Sequence, residues 1–256
     1  MNPHINTLHR RHAGFSLVEI AIVLAIVTLL MAGLLPTISG QVEQHHVSDT
    51  RKQMDDIQQA LIGFALANGR LPCPADPTTP TGQTNGAGFP AGSEYTTGTG
   101  SSMTCASAGG VLLWATLGVG ETDAWGRRFT YRITTIFADA ISADTFGSGC
   151  TPTATPTQSS FALCSNGNLN VLSAASDGSN IATNVPAVVV SHGTNGYGAY
   201  TPAGLQIGGA SGDEGENADN DNSFVSHDFT PTFDDLVVWV SPSILFNRMV
   251  AAGKLP

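Results

Sequence analysis

Arg10–Pro36 reads RRHAGFSLVEIAIVLAIVTLLMAGLLP and is the most informative stretch of the chain. From Phe15 to Leu35 the residues are almost all apolar, and Glu19 is the only charged residue among them. At about 1.5 Å per residue this run makes a helix of about 31 Å, enough to cross a bilayer core of about 30 Å. The stretch therefore predicts a membrane-spanning helix at residues 15–36, with a carboxylate near its start.

The flank of this run is basic. Arg10 and Arg11 precede it, and no acidic residue occurs before Glu19. Positive flanks stay on the cytoplasmic side, so the rest of the chain is expected outside the cytoplasm. An ordinary secretory signal fits poorly, because the apolar run is long and no good small-x-small cleavage site follows it. A plain anchor leaves Glu19 unexplained, since a carboxylate at a helix centre costs about 2.5–3.5 kcal/mol, and less toward an end.

The segment GFSLVEIAIVLAIV, residues 14–27, resembles the signal of type IV prepilins and type II secretion pseudopilins. The resemblance implies that prepilin peptidase cuts between Gly14 and Phe15 and that Phe15 is then N-methylated. Glu19 becomes the fifth residue after the cut. In the family this glutamate is thought to pair with the new amine, on its own subunit or a neighbour. A matched pair would fix the register between packed helices.

The apolar run continues into a second helical pattern at residues 37–70. Apolar residues recur there at helical spacing, and charged residues occupy the other face. Pro36 predicts a kink or a short melted turn between the two parts. Asn68-Gly69 is a typical helix stop, and the prolines that follow forbid continuation. We expect an amphipathic continuation of the helix that lies on a globular domain.

Residues 71–256 are expected to form that globular domain, and residues 1–14 are expected to be a leader peptide. Alternating apolar residues from Phe129 predict a half-buried strand, and Val185–Gly193 predicts a buried one. Asp123-Ala-Trp-Gly before the first strand, and Asp234-Asp235 before LVVWV, resemble elements of pseudopilin globular domains. Ser241 is a predicted N-cap, with Pro242 at the first position of a short C-terminal helix. The apolar face of that helix would be Ile244, Leu245, Met249 and Val250. The expected fold is α+β: a long N-terminal helix packed on a small antiparallel sheet, with long loops.

Four cysteines are present and none is spaced as in a zinc site. They favour disulfides, and therefore an oxidising compartment. Three pairings are possible, and the sequence does not choose among them. We favour Cys73–Cys105 and Cys150–Cys164, because neighbours in sequence close short loops; four free buried thiols are the alternative.

The segment GASGDEGENADNDNSF is rich in carboxylates, which are hard oxygen ligands that calcium prefers. It lacks the EF-hand spacing. Major pseudopilins bind calcium in a C-terminal loop, so the resemblance makes calcium a candidate here, with a solvated acidic loop as the alternative. No other cofactor is expected. The candidate ligands are Asp213, Glu214, Glu216, Asp219 and Asp221.

Charge, residue pattern and length argue against two classes of function and favour one kind of subunit. The net charge is −10 and Lys and Arg form no stripe, which argues against nucleic acid as a partner. Ser191, His192 and Asp177 carry no nucleophile-elbow pattern, so no enzymatic activity is expected. Residues 73–256 are more than a compact major pseudopilin carries after its helix, which favours a minor subunit.

The predicted function is therefore a structural subunit of a type IV pilus or a type II secretion pseudopilus. The precursor would cross the inner membrane once, with its globular domain in the periplasm, and then join other pilin or pseudopilin subunits in the filament. The alternative is a membrane-anchored periplasmic binding domain that does not polymerise. An N-terminal signal of this kind does not distinguish secretion, adhesion, motility and DNA uptake.

Overall fold

A computed structural model describes residues 16–141, 146, 150 and 158–255, with the backbone alone for residues 32–39. The chain separates into two compact units, Met1–His45 and His46–Pro256. The helices are α1 (Leu17–Asn68), α2 (Trp114–Leu117), α3 (Gly212–Ala218) and α4 (Pro242–Ala251). The strands are β1 (Thr96–Thr97), β2 (Thr104–Cys105), β3 (Gly109–Val111), β4 (Thr130–Ile133), β5 (Leu169–Leu172), β6 (Asn180–Val185), β7 (Ala187–Ser191), β8 (Ser223–Val225) and β9 (Leu236–Val240).

Helix α1 begins after Ser16, whose hydroxyl oxygen accepts a hydrogen bond from the Glu19 backbone N–H at 3.2 Å. The helix continues through Pro36 as one element, so the predicted melted turn is not observed. A proline removes only one helical hydrogen bond, and the turns on either side keep theirs. Among the described residues, no helix is long and apolar enough to cross a membrane. The span predicted at residues 15–36 is therefore not shown by the structure.

The part of α1 in the second unit is amphipathic. Met54, Ile57, Leu61 and Ala65 follow helical spacing and are fully or almost fully buried in the main core. The helix ends at Asn68, and Gly69 follows it with φ +71°. A side chain at Gly69 would collide with the carbonyl of Gln158, so glycine is required here for space as well as for backbone conformation.

The main sheet has the strand order β3-β4-β7-β9 and is antiparallel throughout. All five residues of β7 are buried, because successive side chains enter two different cores. Ala187 and Val189 pack in the core that contains α1, whereas Val188 and Val190 pack in a second core. The main sheet therefore lies between the C-terminal part of α1 and a second layer.

That second layer is a three-stranded sheet of order β6-β5-β8. Strand β5 pairs with β6 antiparallel and with β8 parallel. The α+β architecture with small sheets agrees with the prediction, but the described residues form three sheets rather than one: the main sheet, this mixed layer and the two-stranded pair β1-β2. No strand was predicted at β5 or β8, because each has only three or four residues and carries little periodic signal.

The long loop between α1 and β1 is held by a buried arginine. Arg128 is fully buried; it bonds to Glu121 at 2.9 Å and lies 4.6 Å from the ring centroid of Trp114. Its remaining donors reach oxygen atoms of the loops: the carbonyls of Pro77, Thr79 and Pro202, and the hydroxyl of Thr81. These contacts give a loop of low hydrophobicity a fixed position on the sheet.

Helix α4 forms at the predicted place, with Pro242 in its first turn. The Ser241 side chain makes no capping hydrogen bond, contrary to its predicted role. Of the predicted apolar face, Leu245 is fully buried in the main core, but Ile244 is 50% exposed. Only part of that face packs against the fold.

Candidate functional site

The N-terminal processing residues lie at the edge of what the structure describes. Gly14 and Phe15 fall outside the described residues. Ser16 and Glu19 occupy the first turn of α1, where Ser at the cap and Glu three residues later form the sequence pattern of a capping box. The negative charge of Glu19 is also favourable at a helix N-terminus. Glu19 is exposed, and so is accessible to a partner.

The rest of this first part of α1 presents a continuous apolar surface. Every described side chain from Ser16 to Met31 is exposed. The large apolar ones are Leu17, Val18, Ile20, Ile22, Val23, Leu24, Ile26, Val27, Leu29, Leu30 and Met31. Exposed apolar area of this extent marks a surface that associates with other chains or with lipid.

A second site is a group of three carboxylates in the globular unit. Glu214, Asp234 and Asp235 each offer an oxygen atom, and these atoms all lie within 4.8 Å of one another. Glu214 comes from α3, and the two aspartates lead into β9. Glu214 and Asp235 are buried, and Asp234 is partly buried. Three carboxylates so close together repel one another unless a proton or a cation compensates their charge.

Hydrogen bonds hold this acidic group in place. Asn195 donates its backbone N–H to Asp234 Oδ2 at 3.0 Å and its side-chain amide to Glu214 Oε1 at 2.7 Å. Asn217 donates to Asp235 Oδ2 at 2.8 Å. One oxygen of each aspartate, Oδ1, is buried with no hydrogen-bond partner among the described residues. These two buried oxygens are candidate ligand atoms for a cation.

The raised pKa of Asp234 is consistent with three carboxylates that lie close together. Burial, with the charges of Glu214 and Asp235, raises the pKa of Asp234 to about 6. The imidazole of His192 is fully buried, and its Nδ1 lies 3.7 Å from Asp235 Oδ1, too far for a hydrogen bond. Because the group offers hard oxygen atoms, it fits a cation such as Ca²⁺. Calcium there would supply positive charge that ties α3 to the start of β9.

Only one of the predicted calcium ligands belongs to this group, namely Glu214. Asp213 instead accepts from the Ala175 N–H and lies 3.1 Å from His227 Nε2, and these contacts lower its pKa. Asp219 and Asp221 lie beyond α3, where the Asp221 N–H bonds to Asp219 Oδ1. Burial raises the pKa of Glu216 and of Asp219. The predicted set is therefore not assembled as one site.

Sequence reasoning missed Asp234 and Asp235 as partners of Glu214. Asp234 lies 20 positions beyond Glu214 in the chain, yet its backbone N–H donates to Glu214 Oε1 at 3.3 Å. The fold closes this separation by placing α3 beside the entry to β9. The one signal in the sequence is the Asp234-Asp235 pair itself, and such a pair fits the approach to a strand equally well.

The serine, histidine and aspartate weighed as a hydrolase triad do not come together. Ser191 donates its hydroxyl to Asp123 Oδ2 at 2.7 Å. His192 Nε2 lies 2.8 Å from Thr130 Oγ1. Asp177 lies in a turn with φ +56°. Ser191 and His192 therefore act in the packing of the sheet, each with a different partner.

Both disulfides join neighbours in sequence, which is the pairing favoured above. Cys73 bonds to Cys105 and Cys150 to Cys164, with Cα–Cα distances of 5.2 Å. The first bridge ties the segment after α1 to strand β2, beside the ion pair of Arg70 with Glu94. Disulfides of this kind are typical of chains that fold in an oxidising compartment.

The N-terminal part of the chain is similar to a known protein family. Residues 9–35 match the family model described as the prokaryotic N-terminal methylation motif, which is the prepilin-type signal of type IV pilins and pseudopilins. No curated protein and no solved structure matches the chain.

Proposed function

We propose that the chain is the precursor of a structural subunit of a type IV pilus or a type II secretion pseudopilus. The observation that carries the proposal is the match of residues 9–35 to the methylation motif. Prepilin peptidase would cut between Gly14 and Phe15 and methylate the new amine of Phe15. The subunit would then assemble with other pilins or pseudopilins through α1.

The exposed apolar surface of residues 17–31 supports this route. Before assembly it would lie in the inner membrane, with the globular unit in the periplasm, where both disulfides can form. After extraction the same surface would pack against other subunits. The long loops of the globular unit support a minor subunit rather than a major one.

Glu19 has two roles to separate in this proposal. As a charge, it would pair with the Phe15 amine of a subunit; as the third residue of α1, it belongs to a capping pattern. Glutamine serves in a capping box but carries no charge. Glu19→Gln therefore removes the pairing and keeps the cap.

The test is mass spectrometry of the chain co-produced with a prepilin peptidase, followed by filament isolation. We expect loss of residues 1–14 and one added methyl group on Phe15. Glu19→Gln should be processed normally but enter filaments poorly, whereas Ser16→Ala should weaken the cap and still assemble. An intact Met1 terminus would instead favour a membrane-anchored binding domain that does not polymerise.

Calcium at Glu214, Asp234 and Asp235 is the second part of the proposal. Its support is the proximity of three carboxylates and the two buried oxygens without partners among the described residues. The ion would stabilise the globular unit and have no catalytic role.

A further inference from the structure

The open edge of the main sheet borders a groove in the globular unit. Strand β9 pairs with β7 on one side, and no other strand of the described residues pairs with it on the other. The groove has a volume of about 750 Å³ and runs beside Leu236, Val237 and Val238. Its walls come from α1, through Met54, and from residues 226–229 beyond β8.

The backbone groups of β9 on this open side can be identified. Gln58 Nε2 donates to the carbonyl of Trp239 at 2.6 Å, so that carbonyl points away from β7. Backbone groups alternate sides along a strand, so the N–H and C=O of Val237 point the same way. An open edge with such groups is a template for another strand.

Apolar and polar side chains line the groove in about equal measure, and the apolar ones lie along β9 and opposite it. Ile181 and Phe229 line it and are 48% and 44% exposed. Val237 and Val238 are partly buried beside them. An added strand would lie between α1 and the second sheet, with its apolar side chains covering these residues.

The charged side chains that line the groove indicate which kind of partner it binds. Asp55 and Asp228 line it and are exposed, whereas Arg51 lies over the Phe229 ring at 5.9 Å from its centroid. A second copy of the chain is a poor occupant: its net charge is −10, and the edge strand β6 carries no lysine or arginine.

We propose that this groove binds an extended segment of a different protein, which adds a strand to β9. The segment would carry apolar side chains at alternate positions and at least one lysine or arginine near Asp55 and Asp228. Main-chain hydrogen bonds would provide affinity, and the side chains would provide selectivity. This goes beyond assembly through α1, because it places a partner on the globular unit.

The test selects a phage-displayed library of random heptapeptides on the full-length chain and then compares binding of the selected peptides to variants. Val237→Pro removes one N–H from the open edge, a position where proline is tolerated in a strand. We expect peptides with alternating apolar residues and a basic residue, bound at least about tenfold more weakly by Val237→Pro. Asp55→Asn with Asp228→Asn should also weaken binding of these basic peptides and leave the melting temperature unchanged. Val237→Pro should still unfold cooperatively, at a lower melting temperature, because Val237 packs against the second sheet.

Hydrogen exchange separates strand addition from side-chain contact alone. A bound peptide should protect the amide of Val237 and leave that of Val238, which faces β7, unchanged. The same peptide with alternate amides N-methylated should not bind. Equal binding by Val237→Pro, absence of enrichment, or concentration-dependent self-association that Val237→Pro abolishes would each overturn the proposal.

Discussion

Ser191 donates its hydroxyl to Asp123 Oδ2 at 2.7 Å, and this bond joins the end of β7 to the turn before β4. The other carboxylate oxygen, Oδ1, accepts the N–H groups of Trp125 and Arg127, both at 3.0 Å. Asp123 is almost fully buried. One carboxylate therefore shapes the turn and attaches it to the sheet.

Replacing Asp123 should destabilise the globular unit. Asp123→Ala removes three hydrogen bonds to a buried carboxylate, and a cost of about 3 kcal/mol is expected in the free energy of unfolding. Ser191→Ala should cost about 1 kcal/mol, because it removes one hydrogen bond. Urea denaturation followed by circular dichroism measures both. Equal stability of Asp123→Ala and the unchanged chain would contradict the role given to this carboxylate.

Arg128 should matter more for stability than an exposed arginine does. Arg128→Met leaves Glu121 and several loop carbonyls without their donor, and breaking a buried pair in this way costs about 3–5 kcal/mol. Arg51→Met, at an exposed position, is the matched control and should change stability by less than about 0.5 kcal/mol. Thermal unfolding measures the melting temperature of each variant. Similar melting temperatures for Arg128→Met and Arg51→Met would contradict the stabilising role of Arg128.

The Cys73–Cys105 bridge closes a loop with a sequence separation of 32. Its removal by paired alanine substitutions should cost about 4 kcal/mol, because the unfolded chain gains freedom. The measurement is denaturant unfolding with and without the bridge. A loss below about 1 kcal/mol would show that the bridge adds little to the fold.

Asp234 should make stability depend on pH when calcium is removed by a chelator. Its pKa is raised from 3.8 to about 6 in the folded chain, so the folded state holds the proton to higher pH than the unfolded state. The free energy of unfolding should therefore fall as pH rises from about 4 to about 6. Asp234→Asn should remove this decrease. If the free energy of unfolding changed with pH in the same way in both chains, Asp234 would not be the group responsible.

Calcium should stabilise the chain through the buried carboxylates. At a concentration about a hundredfold above its dissociation constant, an ion that binds only the folded state adds about 2.7 kcal/mol. Asp235→Asn should abolish the rise in melting temperature on adding calcium chloride. Asp221→Asn is the control, since Asp221 lies outside the group, and its response should remain. Loss of the response in Asp221→Asn alone would favour the ligands predicted from sequence.

Several elements could be predicted because their signals are local. The alternation at β4 and the apolar run at β7 predict strands, and Asn68-Gly69 predicts the end of α1. The second sheet could not be predicted, since β5 and β8 are short, β6 is mostly exposed and polar, and the burial of this layer depends on β7 and β9 beneath it. Short strands take their conformation from tertiary packing more than from propensity.

The processing signal can be recognised from the order of the residues alone, because the motif at residues 9–35 consists of neighbours in the chain. Which residues make up the carboxylate group could be determined only from the folded structure. Glu214 reaches Asp234 and Asp235 because α3 packs beside the entry to β9, while Asp219 and Asp221 lie outside the group. A peptidase recognises a continuous segment, whereas a group of ligands depends on distances in space between residues that are far apart in the chain.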